Sequence, residues 1–283
     1  LPRRSEEGQA NLWAHSQVLI GLERYGEAFA RMACRRAWAA GRTPTRWNAL
    51  AAQITLVTEQ GFGDSLQFVR FLLPLLRRRE SAGLRNGLRL MVEPALVDCF
   101  REGLAWLETP LQVDPIAPDA PTQDVLSLLE LPGALGLQQL PEIRADGAYL
   151  YSPLWAEGGA GRPLQVGLVS AAGHPGVDPF CIREFQKRTL PMGILWRLVD
   201  ALRQSGAQVH DLQFGADAFR HRALGLSPLP TGTGLTGFAD TARAVAQLDL
   251  VISVDTAMAH LMGAMGRFGW VLLPWSADPR WLS

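Results

Sequence analysis

Short hydrophobic runs alternate with longer periodic stretches along the second half of the chain. The segment 250–254 is a short apolar, partly β-branched run that is typical of a buried parallel strand. Asp255 and Thr256 then open a segment of small and apolar residues that predicts a helix. A strand that ends where a helix begins leaves backbone N–H groups unpaired and places the positive end of the helix dipole at the carboxyl edge of the sheet. Phosphates bind at such edges in α/β proteins.

The rest of the second half follows the same alternation. Its Gly- and Pro-rich stretch, 214–235, predicts a long loop. The hydrophobic pattern predicts strands at 166–169, 207–212, 250–254 and 270–273, and helices at 191–204, 240–248 and 256–265.

The first half opens with a helical hairpin and then turns to alternation as well. Apolar periodicity over 11–40, broken at Tyr25-Gly26, predicts two helices. The phrase from Gly21 to Ala28 resembles the turn of a tetratricopeptide repeat, in a single copy, and an ordinary helical hairpin is the alternative. Pro74 predicts a kink or an early end in the helix that contains it. The pattern predicts strands at 54–57 and 88–92, a glycine-rich turn at 61–64, helices at 65–79 and 95–103, an irregular stretch at 110–121, and a strand or short helix at 125–129.

Strand and helix alternation on both sides of a Gly-rich stretch, 141–162, predicts two Rossmann-like domains joined by a linker. We therefore predict an α/β fold with a helical hairpin at 1–47, an N-terminal domain at 48–150 and a C-terminal domain at 151–283. The carboxyl edges of the two sheets are expected to face each other across a ligand-binding cleft. Because the chain lacks an initial methionine and stops just after an apolar strand, we expect a fragment at both ends.

Composition narrows the class of partner. Lys+Arg and Asp+Glu both number 27, so no global field attracts nucleic acid or an anionic membrane. Charged residues interrupt the most hydrophobic region, so no membrane span is predicted. Cys34, Cys99 and Cys181 lie far apart and suggest neither a zinc site nor a disulfide framework, which favours a cytoplasmic setting. A small molecule or another protein is the expected partner.

Two junctions carry a resemblance to a known family. The first is G-F-G-D, 61–64, before a predicted helix, and the second is D-T-A-M-A-H, 255–260. Together they resemble heptosyltransferase-like enzymes of glycosyltransferase family 9, in particular bacterial members preceded by tetratricopeptide repeats. The phrase W-V-L-L-P-W-S-A-D-P-R-W, 270–281, is similar to the stretch that follows the second motif in that family, and the resemblance covers 50–283.

The resemblance implies the GT-B architecture of two facing Rossmann-like domains. It also implies transfer of a sugar from a nucleotide diphosphate donor to a glycan, lipid-linked or protein acceptor, with inversion and without a metal or bound cofactor. Such a displacement needs a general base near the acceptor hydroxyl. Asp64 is the candidate base, and the N-cap of the following helix is its alternative role. Gly61, Gly63 and Gln67 are assigned to the acceptor-side loop.

The second junction supplies candidate donor contacts. Backbone N–H groups around Thr256 and Ala257, with the Thr256 hydroxyl, are placed to hold phosphate at the helix N-terminus. Asp255 suits a ribose or sugar hydroxyl, because its charge repels phosphate. His260 lies four residues after Thr256 on the same helical face, where a buried structural histidine is the alternative.

Basic residues for the diphosphate are expected before Pro191. The family resemblance places such a group at Lys187 or Arg188, with Arg188 at the better spacing and a solvated loop charge as the alternative for both. The phrase 169–175 departs from the tryptophan- and asparagine-containing phrase of the relatives, the insertion 176–186 is unlike them, and nothing follows Ser283. Impaired donor binding and activity are therefore part of the expectation.

Two other functions fit the sequence. A non-catalytic scaffold would join the hairpin, as a site for a protein partner, to a degenerate transferase body. Its support is the altered phrase 169–175 and the tryptophans near the C-terminus. A nucleotide-sugar epimerase of GT-B shape is the second alternative, and it would change the donor without an acceptor.

Overall fold

Two compact units make up the chain in the computed structural model, which describes residues 6–39, 47–117, 125–145, 147–150, 161–172, 179–226 and 235–281. Nothing is described of the side chains of 6–10, 34–39, 180 and 181. Unit 1 comprises Leu1–Val97, Trp106–Asp146 and Ala277–Ser283, and unit 2 comprises Asp98–Ala105 and Gly147–Ser276. The three-part division proposed from the sequence stays a prediction.

Unit 1 begins with the predicted helical hairpin, which is confirmed as α1 (Glu6–Gly21) and α2 (Tyr25–Ala39). Its apolar face is buried inside unit 1, and the Phe29 ring meets the Phe71 ring edge-on with centroids 6.1 Å apart. Such T-shaped pairs contribute about 0.5–1.5 kcal/mol beyond their buried area. The hairpin is thus continuous with the α/β core of this unit, and its identity as a tetratricopeptide repeat stays a prediction.

The sheet of unit 1 has the strand order β3-β2-β1-β4, with every pair parallel. The order reverses beside β1, and ligands of doubly wound folds bind at that place on the carboxyl edge. The elements are β1 (Ile54–Val57), α3 (Phe62–Phe68), a 3-10 helix (Val69–Phe71), α4 (Leu72–Ser81), β2 (Leu88–Val92), a 3-10 helix (Pro94–Leu96), α5 (Val97–Gly103), β3 (Leu111–Pro115), β4 (Val125–Ser127), α6 (Leu131–Leu135) and α7 (Leu140–Ile143). All residues of α5 after Val97 belong to unit 2.

The glycine-rich turn predicted at 61–64 is wrong. Gly61 is the extended N-cap residue and α3 already begins at Phe62, so Asp64 is the third helical residue. The break expected from Pro74 is confirmed, but it lies before the proline, as the 3-10 helix that separates α3 from α4. Pro74 has no N–H to donate to the carbonyl of Arg70 and its ring crowds that carbonyl, so the preceding turn departs from α-helical geometry.

The irregular stretch predicted at 110–121 is wrong over 111–115, where β3 pairs with β2. Pro115 ends β3 at the edge of the sheet, and an edge strand tolerates proline because one of its sides has no partner. Residues 118–124 lie outside the described part of the chain. The segment 125–129, predicted as a strand or a short helix, contains the strand β4. The helices α6 and α7 were not predicted from the sequence.

A buried arginine holds together the chain segments that enter β1 and β2. Arg79 is fully buried, and its guanidinium donates to the backbone carbonyls of Ala49 (3.1 Å), Ala51 (2.7 Å) and Asn86 (2.6 Å). Burial lowers the pKa of Arg79 from its ordinary value. Because charged donors to carbonyl oxygens form strong hydrogen bonds, this side chain fixes the start of both central strands.

Unit 2 has a second parallel sheet with the strand order β6-β5-β7-β8. The helix α9 packs Leu195 and Val199 against Val166, Leu168 and Ile252 of the central strands. The elements are β5 (Gln165–Val169), α8 (Pro179–Lys187), α9 (Met192–Gln204), β6 (Gln208–Asp211), a 3-10 helix (Gly215–Asp217), α10 (Ala218–Arg222), α11 (Phe238–Ala246), β7 (Leu250–Val254), α12 (Ala257–Ala264) and β8 (Gly269–Leu272). A further 3-10 helix, Pro279–Trp281, belongs to unit 1.

The predicted strands and helices of this half are confirmed, and two regions differ from the prediction. The long loop at 214–235 is wrong at its start, where α10 follows a 3-10 turn, and 227–234 lies outside the described residues. The insertion at 176–186 contains α8 from Pro179 onward, whereas 173–178 is not described. In the described ranges no helix is long and apolar enough to cross a membrane.

Two glycines before β2 give a direct test of the fold, because one of them packs against the segment that precedes β1. Gly87 has φ +83°, and a Cβ there would lie 1.9 Å from the carbonyl oxygen of Ala52. Gly83 has φ +76° with nothing within 4 Å of such a Cβ. We expect Gly87→Ala to lower the free energy of unfolding by about 3 kcal/mol or more, and Gly83→Ala, which carries only the backbone strain, by about 1 kcal/mol. Urea unfolding of both variants measures the difference, and equal losses would show that the close approach is absent.

Candidate functional site

The junction between β7 and α12 has the geometry expected of an anion-binding helix N-terminus. Thr256 is the N-cap of α12, with extended backbone, and its Oγ1 accepts a hydrogen bond from the Met258 N–H at 3.3 Å. The same hydroxyl lies 3.1 Å from the Ser253 Oγ. Since the first N–H groups of a helix have no intrahelical acceptor, the N–H of Ala257 and the helix dipole face the carboxyl edge of the sheet. The Thr256 hydroxyl therefore caps α12, and a ligand at this end of the helix would contact the neighbouring backbone N–H groups.

Asp255 and His260 flank this helix start. Asp255 is nearly buried, at 9% exposure, and directly precedes the N-cap. His260 is partly exposed on the fourth residue of α12, one turn after Thr256. The structure thus brings both residues to the junction that contains Thr256 and Ala257. Their roles toward a ligand stay predictions.

The two candidate basic residues, Arg188 and Lys187, differ in their hydrogen-bond partners. Arg188 donates from Nη1 to the backbone carbonyl of Asp255 at 3.2 Å and from Nε to that of Glu184 at 3.3 Å. Lys187 is exposed and its Nζ lies 3.2 Å from the Glu184 carboxylate. Both bonds of Arg188 go to neutral carbonyls, whereas the charge of Lys187 is paired on the surface. Arg188 is therefore the basic residue that the fold brings to the helix N-terminus.

The side chain of Gln213, which follows β6, lies at the carboxyl end of β5, and the sequence did not indicate this contact. The Gln213 Oε1 accepts from the backbone N–H groups of Ser170 (3.0 Å) and Ala171 (2.9 Å), and its Nε2 donates to the carbonyl of Ala171 at 3.1 Å. The next N–H, that of Ala172, donates to the Thr189 Oγ1 at 3.4 Å. The first backbone donors after β5 are thus bound by protein side chains.

A hydrogen-bonded chain of three side chains links the ends of β5 and β6 and was also missed. The ring of His221 lies 2.8 Å from the Ser170 Oγ through Nε2 and 2.7 Å from the Asp211 Oδ1 through Nδ1. Ser170 and His221 are both fully buried. Because a buried hydroxyl cannot meet a substrate, this arrangement acts as a structural clamp and not as a nucleophile and base. Of these residues only His221 falls in the region predicted as a loop, 214–235, and that prediction hid the helix α10 that carries it.

Asp64 in unit 1 uses both carboxylate oxygens. Its Oδ2 accepts the backbone N–H of Gly61 at 3.3 Å, and its Oδ1 forms an ion pair with Arg280. The alternative role as N-cap is wrong in position, because Gly61 is the N-cap and Asp64 reaches back to it from the first turn. Gly63 and Gln67 lie on the same helix as Asp64, and their assignment to the acceptor side stays a prediction. The base role of Asp64 stays a prediction.

Arg280 is the residue that fixes Asp64, and the sequence reasoning did not single it out. Its guanidinium also donates to Asp278 from Nη2 at 2.8 Å and lies 5.6 Å from the centroid of the Trp13 ring. Burial acts to lower the pKa of Arg280, but the carboxylates of Asp278 and Asp64 outweigh it and hold that pKa above its ordinary value. The sequence feature that could have pointed to Arg280 is the phrase D-P-R-W at 278–281, which lies in the stretch that resembles the family.

A second carboxylate lies at the carboxyl edge of the unit 1 sheet. Glu93 follows β2, and its Oε2 accepts from the Thr58 hydroxyl at 2.5 Å and the Ser65 hydroxyl at 3.3 Å. Thr58 follows β1 and Ser65 lies on α3, so the three side chains join two strand ends to the helix that carries Asp64. Among the described residues, no group of three or more His, Cys, Asp or Glu side chains could hold a metal ion.

Comparison with solved structures shows where this fold occurs. The E. coli heptosyltransferase WaaC with ADP matches with a TM-score of 0.51 and 14% identity, over 77% of this chain and 86% of that one. The same enzyme with ADP-2-deoxy-2-fluoro heptose gives 0.52 and 15%, over 80% and 91%. E. coli ADP-heptose lps heptosyltransferase II gives 0.50 and 12%, over 80% and 92%. Neither a model of a known family nor a curated protein matches the sequence.

These matches show a shared fold. The predicted α/β class with two parallel-sheet domains, similar to that of heptosyltransferases, is confirmed. The matches carry no residue roles to this chain at such identities, so the site rests on its own geometry.

The Asp64 and Arg280 ion pair gives a prediction that does not depend on activity. Arg280→Met leaves two carboxylates near a partly buried position without their cation, and we expect a loss of about 3 kcal/mol in the free energy of unfolding. Asp64→Asn in the same background should recover part of that loss, because the second variant removes one unpaired charge. Chemical unfolding of the single and double variants forms a double-mutant cycle.

Arg280→Lys is the matched control, since it keeps the charge and loses the forked geometry. Its stability should fall between those of the native chain and Arg280→Met. Strictly additive effects of the Asp64 and Arg280 variants would contradict the ion pair.

Proposed function

We propose that this protein is a glycosyltransferase that moves a sugar from a nucleoside diphosphate donor to an acceptor hydroxyl. The observation that carries the proposal is the position of Arg188. Among the described residues, its guanidinium donates to two neutral backbone carbonyls, one of them at the strand-to-helix junction of α12. A cation next to a helix N-terminus is the environment that a diphosphate leaving group requires.

The chemistry assigned to unit 2 is stabilisation of the leaving group. As the bond between the anomeric carbon and the diphosphate oxygen breaks, negative charge grows on the diphosphate. Arg188 and the N–H of Ala257 would oppose that charge, and the Thr256 cap keeps the helix start in place. Asp255 would bind a ribose or sugar hydroxyl, and His260 would reach the diphosphate or the sugar. Lys187 pairs with the Glu184 carboxylate, and we assign it a smaller role than Arg188 in binding the diphosphate.

The chemistry assigned to unit 1 is deprotonation of the acceptor. An acceptor oxygen attacks the anomeric carbon from the face opposite the leaving group, and the configuration inverts. Asp64 would take the proton of that hydroxyl. A carboxylate has about four lone-pair sites, and Gly61 and Arg280 occupy two of them. A site for the incoming proton thus remains, and Arg280 would hold the carboxylate in one orientation.

Other features belong to the same proposal. Transfer is inverting and independent of a metal or bound cofactor, and the architecture is GT-B. The acceptor is a glycan, a lipid-linked sugar or a protein. The two WaaC structures named above contain ADP and ADP-2-deoxy-2-fluoro heptose, so adenosine diphosphate and its sugars are the first donors to test. A cytoplasmic location stays a prediction.

Donor binding is the first test. In thermal-shift and calorimetric titrations with ADP, GDP, UDP and their sugars, we expect one nucleotide to stabilise the protein selectively. Arg188→Met should weaken that binding at least about tenfold, since a charged hydrogen bond to phosphate is worth about 1.5–3 kcal/mol. Lys187→Met is the matched control and should change the dissociation constant less than about threefold. Asp255→Ala should also weaken binding.

Equal effects of the two Met variants would remove Arg188 from the donor site. If no nucleotide binds the folded protein, the transferase proposal fails and a scaffold role through the hairpin gains support.

The base assignment has its own test. Asp64→Asn should reduce transfer at least about a hundredfold, because general base catalysis contributes about 10²–10⁴-fold. The dissociation constant of the donor should stay nearly unchanged. Radiolabelled sugar transfer to an acceptor extract measures the first quantity and calorimetry the second. Normal turnover in Asp64→Asn would exclude Asp64 as the base, and donor conversion without any acceptor would identify an epimerase.

A further inference from the structure

The part of the chain that carries Arg188 belongs to no helix. The helix α8 ends at Lys187 and α9 begins at Met192, so Arg188 lies in the connection between them. Its guanidinium donates to two carbonyls at 3.2 and 3.3 Å, which is longer than the usual N–H···O distance of about 2.9–3.0 Å. Two long bonds hold a flexible side chain weakly. The place of the Arg188 charge therefore depends on how the backbone of this connection is held.

The backbone of Leu190 is bound from two sides. Its N–H donates to the carbonyl of Ser170, directly after β5, at 2.9 Å. Its carbonyl accepts a hydrogen bond from Nη2 of Arg220 on α10. Nε of the same guanidinium lies 3.3 Å from Sδ of Met192, the first residue of α9. One arginine of α10 thus contacts both the connection that carries Arg188 and the helix that follows it.

Arg220 is buried, although its bonds go to neutral groups. Its side chain belongs to a residue that is 5% exposed, and the acceptors of its guanidinium are a carbonyl and a thioether. Burying a charge costs free energy, and an apolar side chain of similar volume avoids that cost. Stability alone therefore does not account for an arginine at this position. Its geometry, which joins α10 to the connection, is the property that a methionine or leucine would lack.

The helix that carries Arg220 is itself fixed to the sheet. The ring of His221, the next residue, lies 2.8 Å from the Ser170 Oγ and 2.7 Å from the Asp211 Oδ1. Ser170 is also the residue whose carbonyl accepts the Leu190 N–H. The two neighbours on α10 therefore act on Leu190 in different ways. Arg220 binds its carbonyl, and His221 binds the residue that accepts its N–H.

We infer that Arg220 is a positioning residue of the donor site, which acts on the bound nucleotide through Arg188. This inference rests on the proposed function. Without the bond to the Leu190 carbonyl, the connection becomes more mobile, and the Arg188 guanidinium spends less time at the N-terminus of α12. A donor must then restrict that side chain as it binds, so the affinity falls by the cost of the lost preorganisation. Arg220 makes no contact with the nucleotide in this arrangement.

Substitutions of Arg220 test the inference by calorimetric titration with ADP, GDP and UDP. Arg220→Met removes the hydrogen bond and keeps an apolar side chain, and it should weaken binding of the preferred nucleotide about fivefold or more. Arg220→Lys keeps a charged donor on a long side chain and should restore binding to within about twofold of the native protein. Arg222→Met is the matched control on the exposed side of α10 and should leave binding unchanged.

A double-mutant cycle with Arg188 separates positioning from a general structural role. If Arg220 acts through Arg188, adding Arg220→Met to Arg188→Met should change the dissociation constant by less than about twofold, because the group to be positioned is already absent. A merely structural role would weaken binding by the same factor in both backgrounds. Arg220→Gln provides a second cycle if Arg220→Met does not fold, since its shorter side chain ends before the position of Nη2.

Three results would overturn the inference and leave the transferase proposal standing. They are native affinity in the folded Arg220→Met or Arg220→Gln protein, an equal loss in both backgrounds, and binding by Arg220→Lys that is no tighter than by Arg220→Met. Each of them presupposes that the native protein binds a nucleotide and that Arg188→Met weakens this binding. Absence of nucleotide binding in the native protein, or native affinity in Arg188→Met, would instead overturn the donor site itself and the role of Arg220 with it.

Discussion

Parallel strand pairing is the constraint on which the rest of this structure depends. Every strand pair in both sheets is parallel, so all strands of one sheet end at the same edge and the chain must return across the sheet before each new strand. Polar residues that follow different strands are therefore brought together without any specific attraction between them. Thr58 and Glu93 meet in this way after β1 and β2, and Ser170 and Asp211 meet through His221 after β5 and β6. The chemistry of each unit lies where its strands end.

Within unit 1, the ion pair of Asp64 with Arg280 adds a second constraint. It joins residues 216 positions apart in the chain, and the contact of Arg280 with Trp13 brings in the first helix as well. Taking these groups out of water costs energy, which the ion pairs with Asp64 and Asp278 offset only while all partners are present. One guanidinium thus holds three distant parts of unit 1 together. They are α1, the start of α3 and the last described residues of the chain. A carboxylate held in this way has a fixed orientation, which the proposed role of Asp64 as a general base requires.

The sequence predicted the elements whose signals are local. The boundaries of β1, β2 and β7 agree with the predicted ones, because short, mostly apolar runs bounded by turn residues specify buried parallel strands. The structure also confirms the break before Pro74, which follows from the missing N–H. The edge strand β3 was not predicted, because Asp114 and Pro115 give it the composition of a loop. The contacts of Arg280, Gln213 and His221 join distant segments, and no local pattern encodes them.

The altered phrase after β5 gains a physical meaning from the hydrogen bonds around it. The N–H groups of Ser170 and Ala171 donate to Gln213, and that of Ala172 donates to Thr189. These described donors at the β5 end are therefore occupied, and an anion there would have to displace a side chain. At β7 the helix follows at once, and its first N–H groups lie beside the Arg188 guanidinium, whose bonds go to carbonyls. We therefore place the proposed anion site at the end of β7, because the N–H groups of Ser170, Ala171 and Ala172 in the altered phrase are already bound to side chains.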